Sequence, residues 1–133
     1  RFNGVSATSR NGALYLQDVS TGRIYTFNTS TFRDSGSDFR VTLQTPRNEY
    51  GSPLRKQEVG LSIIGDSTLS TLQVWANDDD ATTTYTQVGE IDMTQPQKRT
   101  TRLGGFYNRA HQFRYEAASS FRVQAWQPEI KKL

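Results

Sequence analysis

Short runs of alternating polar and apolar residues recur along this chain at roughly ten-residue spacing, with Gly, Asn, Asp or Pro between them. Alternation of period two sends successive side chains to opposite faces of a strand. The sharpest case is Ser70–Gly89, where Leu72, Val74 and Ala76 alternate with Thr71, Gln73, Trp75 and Asn77. Asn77-Asp78-Asp79-Asp80 then supplies residues that bond their own backbone in turns. Thr82–Val88 returns with β-branched and aromatic side chains suited to a pleated surface. A lone hairpin is marginal in water, so the other strands must pack around this one.

Those other strands are read at Ala13–Gln17, Arg23–Phe27, Phe39–Gln44, Arg55–Ile64, Asn108–Ala117 and Phe121–Trp126. Val59, Leu61 and Ile63 are expected on one face of the fourth, and Phe121, Val123 and Ala125 on one face of the last. Pro128 is expected to end that last strand and leave Glu129–Leu133 as a fraying tail. Gly22 suits a turn residue at positive φ between the first two. No segment sustains a 3.6-residue period with caps, so no long helix is expected. The pattern predicts an all-β chain, an antiparallel β-sandwich with an N-terminal β-hairpin appendage. Residues 1–38 read as the hairpin and linker, and residues 39–133 as the sandwich.

Composition narrows the function. With 133 residues and 34% hydrophobic content, the chain can bury one thin core between sheets that each keep a wet face. It has no cysteine, so neither a disulfide framework nor a thiolate metal site is available. The apolar runs are too short to span a membrane as a helix. No signal-peptide pattern opens the chain, and its start at Arg1 reads as a piece of a longer polypeptide. The net charge of +3 comes mostly from arginines spread along the chain, the pattern of solvated strand faces more than of a clustered polyanion footprint.

No constellation of catalytic residues assembles. His111 is the single histidine and alternates in phase with Phe113 and Tyr115, which makes it structural. No nucleophile elbow, dinucleotide fingerprint or phosphate-binding loop occurs. Asp78, Asp80 and Thr82 have the alternate spacing of calcium ligands, but Gly89 stands where a calcium loop needs its bidentate Glu. No catalytic residue, metal or cofactor is expected. Asn28-Thr29-Ser30 matches a glycosylation sequon, a short pattern that arises by chance.

The order of several segments resembles a known family. Gly22-Arg23-Ile24-Tyr25 is followed by Phe32-Arg33-Asp34-Ser35-Gly36 and by Phe39-Arg40-Val41-Thr42-Leu43-Gln44-Thr45. Leu72-Gln73-Val74-Trp75-Ala76-Asn77-Asp78-Asp79 is similar to a strand entering an S-D-D-G turn. Arg102-Leu103-Gly104-Gly105-Phe106-Tyr107-Asn108-Arg109-Ala110 is similar to an R-L-G-x-x-R-x-R segment, and a closing hairpin over Phe113–Trp126 follows. Over most of Gly12–Trp126 this set resembles the C-terminal part of the packaged-DNA stabilisation proteins of short-tailed bacteriophages, the tail accessory factors also termed tail hub or nozzle proteins. Asp80 stands where that family often has Gly, and Tyr107 replaces the middle arginine of the later motif.

The resemblance implies a non-catalytic virion protein, made in the bacterial host cytoplasm. It would work in a ring of its own copies beside other tail and portal proteins, extending the DNA channel and retaining packaged DNA, with non-specific DNA contact. It also implies a propeller-like region upstream, of which Gly12–Phe27 would be the end. Arg102, Arg109, Arg114 and Arg122 are the expected contacts to a neighbouring subunit or the DNA channel. Arg114 and Arg122 are expected on paired strands joined through Ala118–Ser120, and so on one wet face. A rival reading is a carbohydrate- or receptor-binding sandwich with Trp75, Tyr85 and Trp126 as an aromatic platform.

Overall fold

The structure is a computed structural model that describes residues 4–28, 30–34, 36–38 and 40–133. Phe39, Ser35 and the sequon residue Thr29 lie outside the described residues. The chain divides into two compact units, Arg1–Phe32 and Arg33–Leu133.

The first unit is a three-stranded antiparallel sheet in the order β1 (Gly4–Arg10), β2 (Ala13–Asp18), β3 (Ile24–Phe27). The expected hairpin is β2–β3, and Gly22 sits at a φ of 65°, where a side chain would be strained. Asp18 closes the turn by accepting the amide and hydroxyl of Ser20, and these bonds hold its carboxyl below the usual range.

The second unit begins with a two-stranded hairpin of β4 (Arg33–Asp34) and β5 (Ser37–Asp38). It continues with β6 (Arg40–Gln44), β7 (Lys56–Gly65), β8 (Thr71–Asn77) and β9 (Thr86–Asp92). The last three strands are β10 (Arg99–Phe106), β11 (Ala110–Glu116) and β12 (Val123–Lys132). They form two antiparallel sheets, β6-β11-β8-β9 and β10-β7-β12. Leu61, Ile63 and Leu103 of the three-stranded sheet bury against Leu72, Val74, Ile91, Phe113 and Tyr115 of the four-stranded one. The second unit is therefore the expected β-sandwich with one thin core. At one margin β9 and β10 approach closely because Gly89 has no side chain. A Cβ there would come within 3.0 Å of Leu103 and Thr100. Among the described residues no helix is long and apolar enough to cross a membrane.

Bulges overturn three expectations about facing. In β7, Gly60 pairs with Glu129 and Glu58 with Ile130, so Val59 is an extra residue against β12. Downstream of it Leu61 and Ile63 point inward as expected. Upstream the phase changes, so Glu58 and Lys56 are buried while Val59 is only half-buried. In β12, Val123 pairs with Gly65 and Ala125 with Ile64, leaving Gln124 extra. That step sends Ala125 outward and turns Trp126 inward against the core. Nor does Pro128 end β12. The strand is an edge, where a missing amide costs no ladder bond, and it stays paired to Lys132.

A buried ion cluster and the candidate contact arginines

The Val59 bulge brings a carboxylate into the sandwich, and the rest of the cluster forms around it. Glu58 and His111 have no exposed surface, and Arg109 is 2% exposed. The guanidinium of Arg109 donates from Nη1 to Glu58 at 2.8 Å and to the Leu103 carbonyl at 2.8 Å. From Nε and Nη2 it grips both oxygens of Asp78, each at 2.7 Å. Such a fork-to-carboxylate pair is among the stronger charge-assisted geometries. Burial works against the charge on Arg109, but bonds to Asp78 and Glu58 outweigh it and raise its pKa above that of an ordinary arginine.

His111 Nε2 lies 3.0 and 3.1 Å from the two oxygens of Glu58, within hydrogen-bond reach of both. Its Nδ1 is buried without a partner among the described residues. Phe113 stacks on the ring at 6.0 Å between centroids, and Trp126 tilts against it at 5.4 Å. On the other side Phe106 lies 4.5 Å from the Arg109 guanidinium and 5.5 Å from Lys56 Nζ. Lys56 has no exposed surface, and its ammonium donates to the carbonyls of Ser52 and Leu54.

The backbone prepares these positions. Arg109 enters β11 through a two-bond bridge with Asn48. Gly104, at a φ of 89°, carries the chain past Arg109 Nη2, which would lie 4.0 Å from a Cβ there. The acidic turn is held from two sides. Arg109 takes Asp78, and Arg47 bonds Asp80, the Asn77 side chain and the carbonyls of Asn77 and Asp79. Asn108 adds a bond to Asp80. The carboxylates of Asp78 and Asp80 considered as calcium ligands thus face guanidinium groups, while the Thr82 carbonyl accepts from the Asn77 amide. Among the described residues no three His, Cys, Asp or Glu side chains converge on one point.

The hydroxyl of Tyr50 is buried near this cluster without a partner among the described residues. Its pKa is pushed up to about 12, chiefly by burial, with the Glu58 carboxylate adding and the Arg109 charge opposing. The folded state therefore keeps a proton that the unfolded state loses near pH ~10. Stability is therefore independent of this proton below that pH and falls as pH rises from there through about 12. Tyr50→Phe is expected to abolish the late step in a phenolate absorbance titration. At neutral pH it should leave stability unchanged or slightly raised, because no hydrogen bond is removed. A clear loss of neutral-pH stability would count against the unpaired hydroxyl.

The four candidate arginines are not brought together. Arg109 is internal, which removes it from any contact surface. Arg122 precedes β12 and bonds Asp66 at 2.9 and 3.0 Å. Arg114 lies in the other sheet, since β11 pairs with β6 and β8 while β12 pairs with β7, so the expected shared face does not form. Arg102 is exposed at a bulge in β10, at a φ of 63°. The aromatic trio is split as well. Trp75 and Tyr85 are on the four-stranded sheet's side, where the Tyr85 hydroxyl meets Gln44, whereas Trp126 packs inside. No protein-family model matches this chain, and no match is found among curated proteins.

Sequence reasoning missed Glu58 and Lys56, and it assigned Asp78 and Arg109 to other work. A charged pair in an apolar strand was a visible signal, but its facing depends on the bulge at Val59.

Proposed function

We propose that this chain is a non-catalytic structural module of a tail hub or nozzle protein of a short-tailed bacteriophage. In that role it extends the DNA channel below the portal and helps retain packaged DNA. Its partners are copies of itself in a ring, neighbouring tail and portal proteins, and DNA through non-specific contact. One observation carries the reading. The Asp-Asp turn and the Arg102–Ala110 segment, two of the stretches that carry the family resemblance, meet in a single ion cluster through Asp78, Leu103 and Arg109. Their residue types therefore answer to one another, which independent chance matches would not require. The sealed Glu58–His111 pair suits a clasp, since a general acid or base must reach its substrate.

The test is immunogold labelling of virions from cultures that express the chain, with antibody raised against it. Label at the tail vertex is the expected result. Unlabelled virions together with specific binding on a glycan array would replace this reading with the carbohydrate-binding one.

A further inference from the structure

We propose that Arg114, seated on Trp75, is a vacant carboxylate clamp that receives an acidic side chain of a partner protein. Register fixes its surroundings. On the outer face of the four-stranded sheet Arg114 stands opposite Gln73 of β8 and Thr42 of β6, and Gln112 stands opposite Trp75. The guanidinium carbon lies 3.8 Å from the centre of the Trp75 ring, a stacked cation–π contact. Its Nε donates to Gln112 Oε1 at 2.6 Å. The Trp75 indole donates in turn to Gln73 Oε1 at 3.2 Å. The guanidinium plane is thus fixed from beneath and from one edge. Its two terminal nitrogens have no acceptor among the described residues.

Beside that fork is a cleft of about 100 Å³ lined by Arg40, Ser70, Thr71, Gln73, Arg114 and Glu116. Arg40 is committed to Glu116, bonding its Oε2 through Nε and Nη2 at 2.8 Å. The lining therefore carries two positive charges and one negative, and one further carboxylate would neutralise it. Glu90 and Asp92 on the adjacent β9 are engaged elsewhere, with Gln87 and with Thr94 and Gln95. The volume suits a carboxylate with a methylene or two and is small for a pyranose ring. A rigid fork accepts a carboxylate by two parallel bonds without first losing side-chain freedom. These observations are independent of the bacteriophage reading and survive its failure.

The experiment is ¹H–¹⁵N NMR on the intact chain, following Arg114 Nε–H and the Trp75 indole N–H, the latter assigned with Trp75→Phe. An acetylated, amidated Gly-Glu-Gly peptide is expected to shift both resonances saturably, with a dissociation constant on the order of 1 mM for a single clamp. The Gly-Gln-Gly peptide should shift neither. Arg114→Gln should weaken the response at least tenfold, and Arg114→Lys, which keeps the charge but not the fork, severalfold. A response to the glutamine peptide, or one undiminished in both variants, overturns the proposal. So does absence of a saturable shift in the native chain. Inorganic phosphate or glucuronate binding more tightly than the glutamyl peptide would also overturn it, by assigning the cleft to another anion.

Discussion

Arg109→Ala is expected to cost about 3–5 kcal/mol of unfolding free energy, the range for stripping one partner from a buried ion pair. The loss has identifiable parts. Among the described residues Glu58 keeps only His111 as a partner, Asp78 loses both bonds to the guanidinium, the Leu103 carbonyl loses a donor, and Phe106 loses its stacked cation. A domain of this size is stable by roughly 5–15 kcal/mol, so the variant should sit near the edge of folding. Denaturant unfolding followed by tryptophan fluorescence reads the right part of the chain, because Trp75 and Trp126 both belong to Arg33–Leu133. Added salt should change the effect little, since the Arg109–Glu58 pair is shielded from water. Glu58→Gln combined with Arg109→Met should recover part of the loss by removing the stranded charge while keeping the stem over Phe106. A cost below about 1 kcal/mol for the single variant would show that the cluster does not hold the sandwich together.

Phe113→Ala is expected to be comparably severe, about 3–5 kcal/mol, the usual span for truncating a buried phenylalanine. Phe113 is 3% exposed at the centre of the four-stranded sheet, and it also covers His111 and meets Trp126 at 6.2 Å. Truncation leaves a cavity beside the His111 ring. Leu43 is the matched control. It faces Phe113 directly across the β6–β11 ladder but sits on the edge strand at 41% exposure. Leu43→Ala should cost about 1–2 kcal/mol, because only part of its apolar area is removed from water there and the edge leaves no closed cavity. Equal costs for the two variants would mean that the core is not centred where the burial pattern puts it.

Neither variant touches the clamp proposed at Arg114. Arg114 belongs to the outer face of the same strand whose inner face carries His111, Phe113 and Tyr115. The strand that anchors the interior thus carries the proposed clamp on its solvent side, which a thin sandwich with one wet face per sheet permits.

The amino-acid sequence determined the fold class, the acidic hairpin of β8 and β9, and the inward row of His111, Phe113 and Tyr115. Each rests on alternation within a few neighbouring residues, and local sterics fix where those side chains point. Only the tertiary structure decided that Glu58 and Lys56 lie inside, that Trp126 packs half-buried against the core, and that β12 runs on through Pro128. Those outcomes turn on single extra residues at Val59 and Gln124 and on which strand lies at an edge. A bulge is set by the register against a neighbour far away in the chain, so nothing in the adjacent residues announces it. The same holds for Arg109. Its charge was legible, but its burial was not, because the carboxylates that make burial tolerable come from β7 and from the turn after β8.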